Sequence, residues 1–380
     1  MSDIVKHPDT MLPYGSVLKP LISSSSVLTS SDLKKTLSLK GIFTSSYEKE
    51  DIFPLLLTSL LSPTEYGVLK ECQRSKENIP KRRSATYSYV SSKELIRVIP
   101  HLNEIKLEEL KNYEYENYKI IDINNFHRNG SNNQIQLTYK IKRTDLSKDW
   151  YEQVNIYEGS IEIAVSPSDS KLTISTEHST DETKEINKLF VKKVATTLKS
   201  EAMIETTVGD VIKFGDFSNE ERIKFLLGFV NDELDKASTF SFDEITDIEI
   251  SIDSKSKLPT DFKWMEDKVS NIKFQGKSLH ETDILKEDTY HSSLIISSLK
   301  INYMFNITSG KGQCTFEIEF PKKRGNSIPE NDSEFIFKLI NVKYPKKVNT
   351  KSAQKVLYRA FDKFIEECLQ ASITKEDEEG

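Results

Sequence analysis

The alternation of apolar and polar positions divides the chain into a helical N-terminal part and two β-rich parts. Leu33, Leu37 and Leu39 follow Ser30, Ser31 and Asp32, which are N-cap residues, and Gly41 can stop the helix they predict. Ile52, Leu55, Leu56 and Leu60 recur at helical spacing and predict a second helix over 48–61. Ser62-Pro63-Thr64-Glu65 starts a third. Residues 73–85 are charged, contain Pro80 and have no apolar face, so they read as a linker; helix-compatible patterning returns over 91–110.

From about residue 117 the period changes to two. Tyr118–Ile123, then Ile135, Leu137, Tyr139 and Ile141, then Ile161, Ile163 and Val165, then Leu172 and Ile174 predict strands. The first two are separated by the turn-forming run Arg128–Asn133. A helix over 181–198 follows, with Ile186, Leu189, Phe190 and Val194 on one stripe. After a segment with a helix near 218–235, the order repeats. Ile301, Tyr303, Phe305 and Ile307 alternate, as do Phe316, Ile318 and Phe320, and then Phe335, Phe337 and Leu339; a helix over 351–369 closes the series.

The two β-rich segments can be laid over one another, Leu137-Thr138-Tyr139-Lys140-Ile141 on Ile301-Asn302-Tyr303-Met304-Phe305. They read either as an internal duplication or as two independent uses of a common arrangement. The expected fold class is α+β: a small N-terminal helical region, then two antiparallel sheet units, each closed by a long helix. The expected divisions are a Ser/Pro-rich arm over 1–31, a helical hairpin region over 32–72, a linker and helix over 73–115, a first sheet-plus-helix unit over 116–200, a middle segment over 201–290, a second unit over 291–370 and an acidic tail over 371–380. If the duplication is real, two sheets of like curvature could pair side by side into a saddle or a closed dimer-like unit, the general plan of TATA-box-binding domains, although no specific residue here matches that family.

Composition narrows the functional classes. The net charge is −6 in 380 residues, so nucleic-acid contact would have to come from local patches. Residues 201–290 hold 21 Asp and Glu against 11 Lys and Arg, while 300–356 hold 11 Lys and Arg against 5 Asp and Glu. The basic segment could therefore meet phosphates, or dock the chain's own acidic segment. Cys72, Cys314 and Cys368 lack both metal-site spacing and a disulfide framework. With no apolar leader at the N-terminus and no apolar run long enough to span a bilayer, a cytoplasmic protein is expected. The richness in Lys, Ile, Asn and Ser points to an AT-rich microbial genome.

Familiar catalytic patterns fail on inspection. Gly276-Lys277-Ser278 ends like a P-loop, but Asn271 stands where the motif needs glycine. Gly310-Lys311-Gly312 reads as a hairpin turn. The six histidines form none of the paired metal-binding spacings, and no nucleophile elbow occurs. Asp253-Ser254-Lys255 and Asp261-Phe262-Lys263 have the acid-then-lysine order of metal-dependent nucleases, in which a carboxylate holds Mg²⁺ and the lysine orients water. Chance alone yields several such pairs in so charged a chain. No cofactor and no resident metal is expected.

Residues 32–57 resemble a SAP motif. Asp32-Leu33-Lys34-Lys35-Thr36-Leu37, Lys40-Gly41-Ile42 and Lys49-Glu50-Asp51-Ile52 with Leu55 and Leu56 follow its order of helix, Gly, hydrophobic residue, short link and second helix. The link is about one residue longer than usual and Ser46 replaces the second Gly. The resemblance implies DNA binding through Lys34, Lys35 and Lys40. The alternative is an ordinary helical hairpin packed on the β part through Leu37, Ile42, Ile52 and Leu56. Lys81, Arg82 and Arg83 in the expected linker, Lys322, Lys323 and Arg324 in an expected loop, and Lys343, Lys346 and Lys347 complete the candidate nucleic-acid-binding set.

These features lead to a non-catalytic, nucleic-acid-associated binding subunit of a larger microbial assembly, in a phage-defence or mobile-element setting. Another protein subunit is an expected partner and self-association is open. One alternative is a protein-interaction or oligomerisation scaffold without nucleic-acid contact. The other is a divergent metal-dependent nuclease.

Overall fold

The structure is a computed structural model that describes residues 15, 18, 28–46, 48–77, 79–105, 118–144, 154–253, 271–323, 325–344 and 350–374. Its N-terminal part contains α1 (Ser30–Leu39), α2 (Lys49–Leu57) and α3 (Pro63–Glu77). The cap of α1 is Thr29, one residue before the expected group. Its hydroxyl accepts from the Asp32 amide, and the Asp32 carboxylate accepts from the Thr29 amide, a reciprocal capping box. Gly41 takes the left-handed conformation after α1, at φ +72°. Leu33, Leu37, Ile52, Leu56, Leu61 and Leu69 close a small core of their own. The hairpin therefore packs on α3 rather than on the sheet.

Among the described residues eleven strands form one antiparallel sheet: β1 (Lys81–Ser88), β2 (Tyr118–Ile123), β3 (His127–Asn129), β4 (Ser131–Thr144), β5 (Val154–Ser166), β6 (Lys171–His178), β7 (Phe240–Ile252), β8 (Asn271–Gln275), β9 (Leu294–Ile307), β10 (Gly310–Glu319) and β11 (Ile336–Lys343). The order is β2-β4-β5-β6-β1-β11-β10-β9-β7-β8, with β3 beside β4. Two corrections follow. The two β segments are halves of one sheet, not separate units. Residues 81–85, expected to be linker, belong to the strand that joins them: β1 pairs with β6 over its whole length and with β11 at Lys81 and Arg82.

The helices among the described residues that pack near the sheet are α4 (Ile99–Asn103), α5 (Asp181–Ser200), α6 (Asn219–Gly228), the short α7 (Asp283–Lys286) and α8 (Asp288–His291), and α9 (Thr350–Thr374). Helix α9 runs past the expected boundary at 370. The expected helix near 218–235 ends at Gly228 and gives way to a single 3₁₀ turn at Asp232–Leu234.

The two halves bury opposite faces of the sheet. Residues directly opposite in an antiparallel ladder point to the same side, and neighbours along a strand point to opposite sides. Leu137, Ile161, Thr176 and Arg83 are cross-strand neighbours in turn and share a face. On that face Tyr139 donates its hydroxyl to the Thr183 carbonyl and to Asn187 of α5. Arg82, Phe337 and Ile318 share the other face, where Phe337 and Phe316 meet Phe361 of α9. Helix α5 thus covers one face of the first half and α9 the reverse face of the second. The two long helices therefore lie on opposite sides of the one sheet.

Each half has its own apolar core, the first built on Ile135, Ile161, Ile163, Phe190 and Val194, the second on an aromatic group that includes Phe229, Phe240, Phe316 and Phe361. Polar residues fill the faces that these cores leave. Below the second half, Lys300 meets Asp247 at 2.6 Å and Lys322 meets Glu249 at 2.9 Å. Part of the acidic middle segment, in β7, thus neutralises part of the basic segment that follows.

Candidate functional site

Where β1 crosses between the halves, its first three side chains, Lys81, Arg82 and Arg83, are charged, while Ala85 and Tyr87 further along join the core of the first half. Arg82 is 2% exposed. Its guanidinium donates to Asp362 of α9 at 2.6 and 2.8 Å, to Glu177 of β6 at 2.7 Å and to Glu162 of β5 at 3.1 Å. Burial alone would lower the Arg82 pKa, but Asp362, Glu177 and Glu162 outweigh it and hold it well above its ordinary value. Asp362 also accepts from Ser84 at 2.9 Å, and Arg359 of α9 reaches Glu162 at 2.6 Å. This buried network fastens α9, which covers the second half, to the polar face of the first.

The rest of the candidate set is scattered and largely engaged. Lys81 approaches Glu319 at 3.6 Å, and Arg83 pairs with Glu334. Lys322 also reaches the Ser251 hydroxyl, and Lys323 pairs with Glu330. On the helical unit, Lys40 meets Glu65 of α3 at 2.9 Å, and Lys34 donates to the Ser46 carbonyl, closing the loop between α1 and α2. Lys35 and Lys343 are exposed. Arg324, Lys346 and Lys347 lie outside the described residues. A lysine already on a carboxylate must give up that contact to reach a phosphate, so the described members of this set do not form one open basic surface.

A surface that the sequence reading passed over does. The outer side of α5 carries Lys184, Lys188, Lys192, Lys193 and Lys199, all exposed and without an ion-pair partner among the described residues. Lys184, Lys188 and Lys192 follow at four-residue intervals, so they stack on one line. Fifteen residues at 1.5 Å each make the row about 22 Å long. Its reverse side is the apolar stripe of Ile186, Phe190, Val194 and Leu198, which seats α5 on β5 and β6. A capping box between Thr180 and Thr183 fixes where the helix begins. At the foot of the row, buried His178 is held down to about 3, first by burial and then by Lys184, Lys81, Arg83 and Lys338.

Of the nuclease-type residues only Asp253 is among the described ones. Asp253 accepts from Asn219 at 2.9 Å, and Lys255, Asp261 and Lys263 lie outside the described residues. Among the described residues no group of three or more His, Cys, Asp or Glu is placed to hold a metal ion. No helix among them is long and apolar enough to cross a membrane.

Comparison with known proteins bears on the N-terminal unit. No curated protein matches the chain. Residues 16–79, under a fifth of its length, match the family described as GAPS4b protein N-terminal domain; the match spans all of α1, α2 and α3.

Proposed function

We propose that this protein is a non-catalytic, nucleic-acid-contacting subunit of an antiphage defence assembly. The observation that carries the contact is the exposed, unpaired lysine row of α5. Its length of about 22 Å matches about six phosphates along one strand of a duplex, at 3.4 Å each. It stands on a helix seated by its own core, so the charges are presented on a rigid element. The match of residues 16–79 to the GAPS4b N-terminal domain supports the defence setting.

The same N-terminal unit supports a protein partner. Phe43 is 82% exposed and Leu39 53%, on a unit whose core is otherwise closed. In this reading the helical unit holds a companion subunit and α5 holds nucleic acid.

A fluorescence-anisotropy titration against labelled duplex DNA, single-stranded DNA and RNA at several salt concentrations tests the contact. The proposal expects binding that weakens steeply with salt and depends little on sequence. No binding to any of the three at low salt contradicts it.

A further inference from the structure

β1 and β11 stay paired only at Lys81 and Arg82, then part. The segment around Asp210 takes the place of β11 beside β1, through reciprocal Thr86–Asp210 backbone hydrogen bonds of 2.9 and 2.7 Å. The C-terminal half of α9 lies across the opening. Together they enclose a cavity of about 540 Å³, within the range of sites for small organic molecules.

One part of the lining is apolar: Phe217, Phe335, Ile365 and Leu369. Another is acidic, with six carboxylates against two cations, Arg83 and Lys171. Most of these charges have structural duties. Glu334 pairs with Arg83, Asp362 holds Arg82 and Ser84, and Asp216 accepts from the Lys213 amide at 2.7 Å. Glu366 has none: it is partly buried and accepts no hydrogen bond among the described residues. Burial raises its pKa against the pull of Lys171, and Asp362 adds to the rise.

We propose that this cavity binds a small organic cation, whose ammonium or amidinium group donates to the Glu366 carboxylate and whose apolar body rests on Phe217, Phe335, Ile365 and Leu369. An anion would meet an excess of carboxylates, and only Lys171 would be left to receive it. A bare divalent ion would want several converging ligands, and no such group occurs among the described residues. An amine or amidine on an aromatic or aliphatic body satisfies both parts of the lining. The inference is independent of the nucleic-acid contact, which lies on α5.

Isothermal titration of the full chain with benzamidine, phenethylamine and agmatine, against benzyl alcohol and benzoate as neutral and anionic counterparts, tests it. At least one cation should bind, with benzyl alcohol and benzoate weaker. Glu366→Gln, which keeps the shape, should weaken that binding about tenfold or more, as loss of a charge-assisted hydrogen bond does. Leu369→Trp, which fills the apolar end, should abolish it; circular dichroism checks that both variants fold. Absence of binding by all three cations at millimolar concentration overturns the proposal. So does unchanged affinity in Glu366→Gln, or equal binding of benzyl alcohol.

Discussion

Arg82 Nη2 lies 2.6 Å from Asp362 Oδ2, joining the central strand to the last helix across 280 positions of sequence. With Glu162 and Glu177 on the same guanidinium, this contact ties the two halves of the sheet through one buried cation. A charge so placed is costly to strand.

Replacing Arg82 by Met should therefore destabilise the fold by about 3–5 kcal/mol, because three carboxylates lose their cation inside the protein. Urea unfolding measures this. Arg82→Lys should fall between, since an ammonium cannot span the fork of contacts that the guanidinium makes. A loss below about 1 kcal/mol in Arg82→Met would show that the network is solvated and idle.

Tyr139 lies flat over Gly159, its cross-strand neighbour, so that an added Cβ would sit 2.4 Å from the ring. Gly159→Ala should cost about 1–3 kcal/mol through overpacking. In a Tyr139→Leu background the new methyl has room, so the two losses should be less than additive. Denaturation of the two single variants and the double variant decides it; strict additivity would place the ring elsewhere.

His178 is neutral in the fold, with its pKa held down to about 3, while the unfolded chain takes up that proton near 6.5. Between these values the unfolded state carries the extra proton, so stability falls as the pH drops from about 6.5 toward 3. The slope is about 1.4 kcal/mol per pH unit, and nothing changes above about pH 7. Relative to the wild type, His178→Asn should become comparatively more stable as the pH falls from 6.5 to 4.5. Urea midpoints at three pH values test this, and parallel curves would contradict it.

The periodic elements were legible in the sequence because each faces a core on one side only. Ile186, Phe190 and Val194 of α5, and Ile301, Tyr303 and Phe305 of β9, bury one stripe and wet the other. β1 was not legible for the same reason in reverse. It lies at the seam where the buried face changes side, so Lys81, Arg82 and Arg83 meet carboxylates above and below, and only Ala85 and Tyr87 at its far end alternate as apolar positions. A basic run next to a proline then reads as an exposed linker. The partners of Arg82 lie 80, 95 and 280 positions away, beyond any local pattern. The lysine row of α5 was there to be read, at the positions between the apolar ones. The period of the apolar positions by itself does not reveal it.

The central claim rests on that row. Lys184, Lys188, Lys192 and Lys199 can be changed together to Gln, which keeps helix propensity and leaves the buried stripe alone. Binding to duplex DNA is then followed from low to moderate salt in both proteins. With four to five phosphates neutralised, the wild type should show log K falling against log salt with a slope of about −4, and the variant should lose most of both affinity and slope. Equal affinity and equal slope in the two proteins would show that α5 does not hold nucleic acid, and would contradict the account.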